Sequence, residues 1–201
     1  MINIILASQS VDRKRILTRS RIPFTTVESG VNENFYKRKI TDPIELVQVL
    51  AKEKVIDVKK RVKENKKNSF FIGADTIVEF EGEIIGKAID EKDAFKILKK
   101  LSGKTHNLIT GVAVSQKEDK KVFTDYDITK VSFLSISDDE IWDYIRTEEW
   151  KGRAGAYSIK DRASLFIKSI NGSPSNVIGL PLQKIFQIFK LKYQYNFLKY
   201  I

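Results

Sequence analysis

The sequence predicts an α/β fold built on a mixed, twisted sheet with flanking helices. Three observations predict it. Short isoleucine- and valine-rich runs of strand length alternate with longer runs of helical apolar spacing. Some strand runs are separated by a helix and others only by a tight turn, so parallel and antiparallel pairs are both expected. No internal repeat or low-complexity linker interrupts the chain, which reads as a single domain over residues 1–201.

The elements follow in order. Ile2–Ala7 is a short apolar run and reads as a buried strand. Ser8-Gln9-Ser10 opens a helix over 11–19, with serine as the N-cap. Phe24–Val27 is a second short strand, and Glu33 falls in the polar loop after it. Thr41-Asp42-Pro43 is a capping residue followed by proline, a strong helix start. Leu46, Val47, Leu50 and Lys54 continue at helical spacing to about Lys63. Phe70–Val78 is a strand, and Glu81-Gly82 turns it into Ile84-Ile85. Asp90 caps a helix with Ala94, Ile97, Leu98 and Leu101 on one face. His106–Ser115 and Val122–Leu134 are strands joined by a polar hairpin turn. Ser137 to Glu140 is a capping box before a helix over 138–147. Leu165–Ile170 is a strand, Asn171–Pro174 a turn, and Leu182–Leu191 an amphipathic helix.

Composition narrows the function. There is no cysteine, so disulfides and thiolate metal sites are excluded and a reducing, cytoplasmic setting is expected. The single His106 argues against a zinc site. No apolar run reaches membrane-spanning length, and the short apolar start precedes its basic cluster, the wrong order for a signal peptide. The net charge of +10 favours anionic partners. Much of it is lysine spread along helices, as at Lys59-Lys60-Arg61 and Lys66-Lys67, which serves solubility and does not require a nucleic-acid surface.

Several segments could carry chemistry. The Ser8-Gln9-Ser10 junction, followed by Arg13, could receive phosphate, because a helix N-terminus offers unpaired N–H groups and arginine a forked cation. Serine there is also an ordinary cap. Asp75 ends an apolar strand between small residues. A carboxylate there is a general base, a metal ligand or a cap on a neighbouring turn. Lys87 follows a tight turn that could aim it at a cleft, whereas Lys54 sits among other helical lysines. Lys151–Tyr157 and Gly172–Pro181 are small-residue loops that could cradle a nucleotide or be structural only. Neither is a P-loop. His106 reads as a hydrogen-bonded strand residue before a catalyst.

The order and spacing of these segments resemble the Maf family of nucleotide pyrophosphatases, from Ile4 to about Phe189. The matching blocks begin with Leu6-Ala7-Ser8-Gln9-Ser10-Val11-Asp12-Arg13, Val31-Asn32-Glu33 and Leu50–Lys54. They continue with Gly73-Ala74-Asp75-Thr76-Ile77-Val78, Ile85-Gly86-Lys87, Leu101–His106 and Thr110-Gly111-Val112. The last are Ala154-Gly155-Ala156-Tyr157 and Asn176–Pro181.

The resemblance implies a fold like that of the inosine-triphosphate pyrophosphatases, with two lobes around a nucleotide cleft. It implies hydrolysis of a nucleoside triphosphate to the monophosphate and pyrophosphate with Mg²⁺ or Mn²⁺, and it suggests a homodimer. By position, Asp75 becomes the general base, and Glu33 helps Asp75 hold metal. Ser8, Arg13, Lys54 and Lys87 hold the triphosphate. The Ala154–Tyr157 block is closer to the branch acting on dTTP and UTP, in which the positions of Asp12, Thr76 and Lys160 bear on substrate choice. Four positions depart from the pattern, namely Val11, Asp12, Ala88 and Lys160. They leave Asp75, Lys54 and Lys87 intact, so the chemistry is expected to persist while the base preference stays open between dTTP or UTP and modified nucleotides. A different class, a nucleotide- or nucleic-acid-binding regulator of cell division without turnover, would instead rest on the charge and on Asp12.

Overall fold

The computed structural model describes residues 2–62 and 68–199. The pair Lys66-Lys67 and the expected helix end at Lys63 lie outside the described residues. The elements are β1 (Asn3–Leu6), α1 (Val11–Arg19), β2 (Phe24–Thr26), α2 (Glu33–Lys37), α3 (Pro43–Arg61), β3 (Ser69–Phe80) and β4 (Glu83–Ile85). Then follow α4 (Glu91–Leu101), β5 (Thr105–Gln116), β6 (Phe123–Phe133), α5 (Asp138–Arg146), β7 (Ile167–Asn171), α6 (Pro174–Val177) and α7 (Leu182–Tyr193). Seven strands form one sheet in the order β2-β1-β3-β5-β6-β7, with β4 added to β3. β1 pairs parallel with β2 and β3, while β3–β4 and β6–β7 are antiparallel. The sheet is therefore mixed, as the alternation of helical and hairpin connections predicts. Among the described residues no helix is long and apolar enough to cross a membrane.

The chain divides into two compact units. The first comprises residues 1–75, 110–127 and 178–201, and the second 76–109 and 128–177. In the first, the two-residue period of the strands sorts side chains to opposite faces. Ile4, Leu6, Phe70, Ile72, Val112 and Val114 pack with α1 and α7, through Ile16, Leu17, Ile185 and Phe189. Ile5, Phe71 and Ala113 face the other way and pack with Ala51, Val55 and Val58 of α3. Apolar residues at both strand parities, read in sequence as an unbroken apolar run, are what burial on both faces requires. The second unit has its own core, in which Val78, Phe80 and Phe133 pack with Ala94, Leu98, Ile141, Tyr157 and Phe166.

Caps fix the helix starts. Ser10 Oγ accepts from the Arg13 N–H, Asp42 Oδ1 from the Glu45 N–H, and Ser137 with Glu140 closes a reciprocal box. Four expectations are corrected. Asp75 does not end its strand, because β3 continues five residues past it to Phe80, where Val78–Phe80 pair with β4. Glu33 does not lie in a loop, because Asn32 caps the short α2 and Glu33 is its first residue. Leu165 belongs to a 3₁₀ turn over Arg162–Leu165, and the strand starts at Ile167. The turn at Asn171–Pro174 leads into α6, with proline at its first position, where its missing N–H costs nothing.

Two glycines set how closely α3 approaches the sheet. A Cβ at Gly73 would lie 2.4 Å from the Ala51 carbonyl oxygen, and one at Gly111 would lie 2.3 Å from that of Val47. Both clashes are with helix backbone, which cannot step aside as a side chain can. Gly73→Ala is expected to cost at least ~2 kcal/mol by overpacking. It should also lower activity in the protein that still folds, because α3 carries Lys54. Thermal unfolding and turnover measured on one preparation check both parts.

Candidate active site

Phe71, Gly73 and Asp75 alternate along β3 and point to the α3 side. Asp75 closes the first of the three segments that make up the first unit and is 6% exposed. Because Gly73 lets α3 lie close, Lys54 on that helix reaches Asp75. Its Nζ is 2.6 Å from Asp75 Oδ1. Lys54 is itself only 7% exposed. A buried ammonium is costly without anionic partners, and this one has two, since Glu33 Oε1 lies 2.7 Å away. The other oxygen, Glu33 Oε2, accepts from Lys37 Nζ at 3.1 Å, one turn along α2. Burial alone would raise the Glu33 pKa. The ammonium groups of Lys54 and Lys37 override it and hold the carboxyl down at about 2.

Arg13 ties this cluster to the backbone. Its Nη1 donates to the Ala74 carbonyl at 2.9 Å and to Ser8 Oγ at 3.3 Å, and its Nε donates to the Gly179 carbonyl at 2.7 Å. Ser8 Oγ also accepts the Ser10 N–H at 3.2 Å. The guanidinium thus pins the start of α1, the middle of β3 and the loop before α7. Burial depresses its pKa, and the nearby charges of Asp75 and Glu33 oppose that shift. Asp12, beside it in sequence, is buried in the first turn of α1.

Five of the eight candidates, Ser8, Arg13, Glu33, Lys54 and Asp75, therefore stand in one linked network within the first unit. Thr76, Lys87 and Lys160 belong to the second. Thr76 is half-buried on β3, Lys87 is exposed, and Lys160 is half-buried in a turn. The Lys87 segment is braced by the small-residue block, since Lys87 bridges Ala154 and the Gly155 N–H donates to the Gly86 carbonyl at 3.0 Å. The sequence reading missed Lys37. Its signal is a glutamate four residues N-terminal to a lysine, informative only once α2 is known to be helical.

The donor chemistry fits a hard divalent cation. Two carboxylate oxygens converge on one positive centre, the Lys54 ammonium, and Mg²⁺ is typically held by one or two carboxylates plus substrate phosphates. Among the described residues no three His, Cys, Asp or Glu side chains cluster as a ligand set. Glu33 and Asp75 would therefore hold such an ion only with oxygens from substrate or water.

His106 of the second unit is buried in β5, and its Nε2 pairs with Tyr157 Oη at 2.8 Å. Its Nδ1 has no hydrogen-bond partner among the described residues. Burial lowers its pKa from 6.5 to about 4. The folded state thus favours the neutral ring, so this stability is fully present above pH 6.5 and is lost as pH falls towards 4. The loss should reach about 3 kcal/mol. Denaturant unfolding of wild type and His106→Gln across that range should show the difference in slope. Parallel curves would show that His106 titrates alike in both states.

A model of the Maf-like protein family matches residues 3–191. The dTTP/UTP pyrophosphatase of Ruminiclostridium cellulolyticum is 37% identical over 185 residues, 92% of this chain and 93% of the relative. That of Alkaliphilus oremlandii is 39% identical over 198 residues, 98% of this chain and 100% of the relative. A solved structure of the nucleoside-triphosphatase / dITP/XTP pyrophosphatase of Mycobacterium abscessus is 12% identical, with a TM-score of 0.35, covering 66% of this chain and 73% of that one.

Proposed function

The chain belongs to the Maf-like protein family, and from that premise we propose that it hydrolyses a nucleoside triphosphate to the monophosphate and pyrophosphate, with dTTP and UTP as the first substrates. The observation that carries the reading is Asp75, a buried carboxylate in the middle of β3, held by Lys54 beside Arg13 and Glu33. Phosphoryl chemistry needs positioning and charge neutralisation more than covalent assistance, and this cluster supplies charge at fixed positions.

In the proposed reaction Asp75 orients a water molecule and takes its proton. The water oxygen bonds to the α-phosphorus as the bond from that phosphorus to the bridging oxygen breaks, and pyrophosphate leaves with the bonding pair. Lys54 and Arg13 neutralise the triphosphate, and Ser8 helps set the guanidinium. A Mg²⁺ or Mn²⁺ ion held by Glu33 and Asp75 would add charge neutralisation at the phosphates. Lys87 is assigned to the phosphates, and Thr76 and Lys160 to nucleotide choice, on their positions in the family pattern. A cytoplasmic setting and a homodimer complete the reading.

The experiment is a panel of canonical and modified triphosphates with Mg²⁺ or Mn²⁺, reading pyrophosphate and monophosphate separately. Release of the two in equal amounts supports the reading. Release of orthophosphate instead would place the cut at another phosphorus and overturn it.

A further inference from the structure

A second cationic feature lies in the first unit, on another face of α3. Successive residues of a helix turn by about 100°. Lys52, Ile56, Lys59 and Lys60 therefore share a face from which Lys54 is turned away. Opposite them stands the turn between β5 and β6. Together they form an open pocket of about 700 Å³ lined by Lys52, Lys59, Lys60, Lys117, Lys120 and Lys121. Among the described residues, no acidic one lines it. Among the described residues, none of the six makes an ion pair.

Two of these lysines are fixed in place. Lys59 Nζ donates to Ser115 Oγ at 2.8 Å and to the Asp119 carbonyl. Lys117 Nζ donates to the Lys59 carbonyl at 3.0 Å and to the Val62 carbonyl. These acceptors are neutral. They satisfy the N–H donors and hold the ammonium groups still, but they do not cancel the charge. The turn carries two acids, Glu118 and Asp119, and Asp119 accepts a hydrogen bond from Tyr193 Oη at 2.9 Å. Burial lowers the Lys59 pKa, an effect that Asp119 and Glu118 oppose and neighbouring Lys117 reinforces. Six lysines lining one space give it a positive potential that favours an anion.

We propose that this pocket binds a small molecule carrying several phosphate groups, at a site distinct from the Asp75 cluster. The match is one of charge and size. A chain of three phosphates carries several negative charges, and pockets of about 300–1,000 Å³ are the usual size for small ligands. Val122, Phe123 and Ile56 supply an apolar wall for an organic part of the ligand. The lysines of α3 and of the turn are separated by more than fifty residues in the chain, so the fold assembles the site. The inference does not depend on the pyrophosphatase reading.

The test is titration calorimetry of the full chain with inorganic tripolyphosphate, without divalent metal. The comparison is with the variant Lys52→Gln, Lys60→Gln, Lys120→Gln, Lys121→Gln and, separately, with Arg13→Ala. All four replaced lysines are exposed, so the fold should survive. One equivalent of tripolyphosphate should bind at least ~10-fold more weakly to the quadruple variant and keep its affinity in Arg13→Ala. Raising salt should weaken that equivalent, since exposed charges are screened. Turnover of nucleotide by the quadruple variant should be unchanged. Unaltered binding in the quadruple variant, or loss of all binding in Arg13→Ala, would overturn the proposal. So would displacement of tripolyphosphate by a single-stranded oligonucleotide at lower concentration, which would assign the lysines to nucleic acid.

Discussion

Asp75→Asn is expected to abolish pyrophosphate release, with kcat reduced roughly 10³-fold, within the range for removing a general base. The substitution is close to isosteric. Asparagine can still accept the Lys54 hydrogen bond now 2.6 Å long, so the packing of α3 on β3 should persist. The amide cannot take a proton from water. Lys54 loses one of its two anions but keeps Glu33 at 2.7 Å, so the thermal midpoint should fall only modestly. Nucleotide binding should remain measurable. Turnover equal to wild type in a folded Asp75→Asn protein would remove Asp75 from the mechanism.

The elements legible in the sequence were those with a local chemical cause. Ser10, Asp42, Asp90 and Ser137 accept N–H groups three residues ahead, and that signal needs no tertiary structure. α2 was illegible because its five residues, Glu33–Lys37, are too few to show an apolar period, and none of them is buried. The 3₁₀ turn at Arg162–Leu165 was lost for a similar reason. An apolar Leu165 next to Phe166 and Ile167 reads as strand, yet Leu165 is 80% exposed.

The site divides along the same line. Asp75 stands out in sequence because a carboxylate within an apolar strand run must be compensated. Lys54 does not, since on a lysine-rich helix its burial follows from Gly73 drawing α3 onto the sheet. The Arg13 contacts to Ala74 and Gly179 join residues 61 and 166 positions apart, and no local pattern encodes them. The lysine pocket was illegible for the same reason. Lys59-Lys60 reads as solvated surface and Lys120-Lys121 as part of a polar hairpin turn, and only the packing of α3 beside the β5–β6 turn brings them to one space.

Lys54→Met gives the second large effect, in two opposite directions. Methionine replaces the alkyl stem but removes the ammonium that Asp75 and Glu33 share. Breaking a buried ion pair by deleting one partner costs roughly 3–5 kcal/mol, because the remaining charges are left uncompensated. The thermal midpoint should therefore drop by several degrees, and turnover should fall at least ~100-fold with the loss of a fixed positive charge at the triphosphate. Two carboxylates that have lost their shared cation also become a better receptor for a divalent one. Mn²⁺ without nucleotide should raise the variant's midpoint progressively with concentration, as a ligand selective for the folded state does. In wild type the ammonium already holds those oxygens, so Mn²⁺ alone should shift the midpoint far less. Lys54→Arg keeps a cation between the carboxylates and should behave like wild type towards Mn²⁺. Adding Glu33→Gln to Lys54→Met should remove the metal response. Equal stabilisation of wild type and Lys54→Met by Mn²⁺ would show that the metal binds elsewhere than on the oxygens Lys54 bridges.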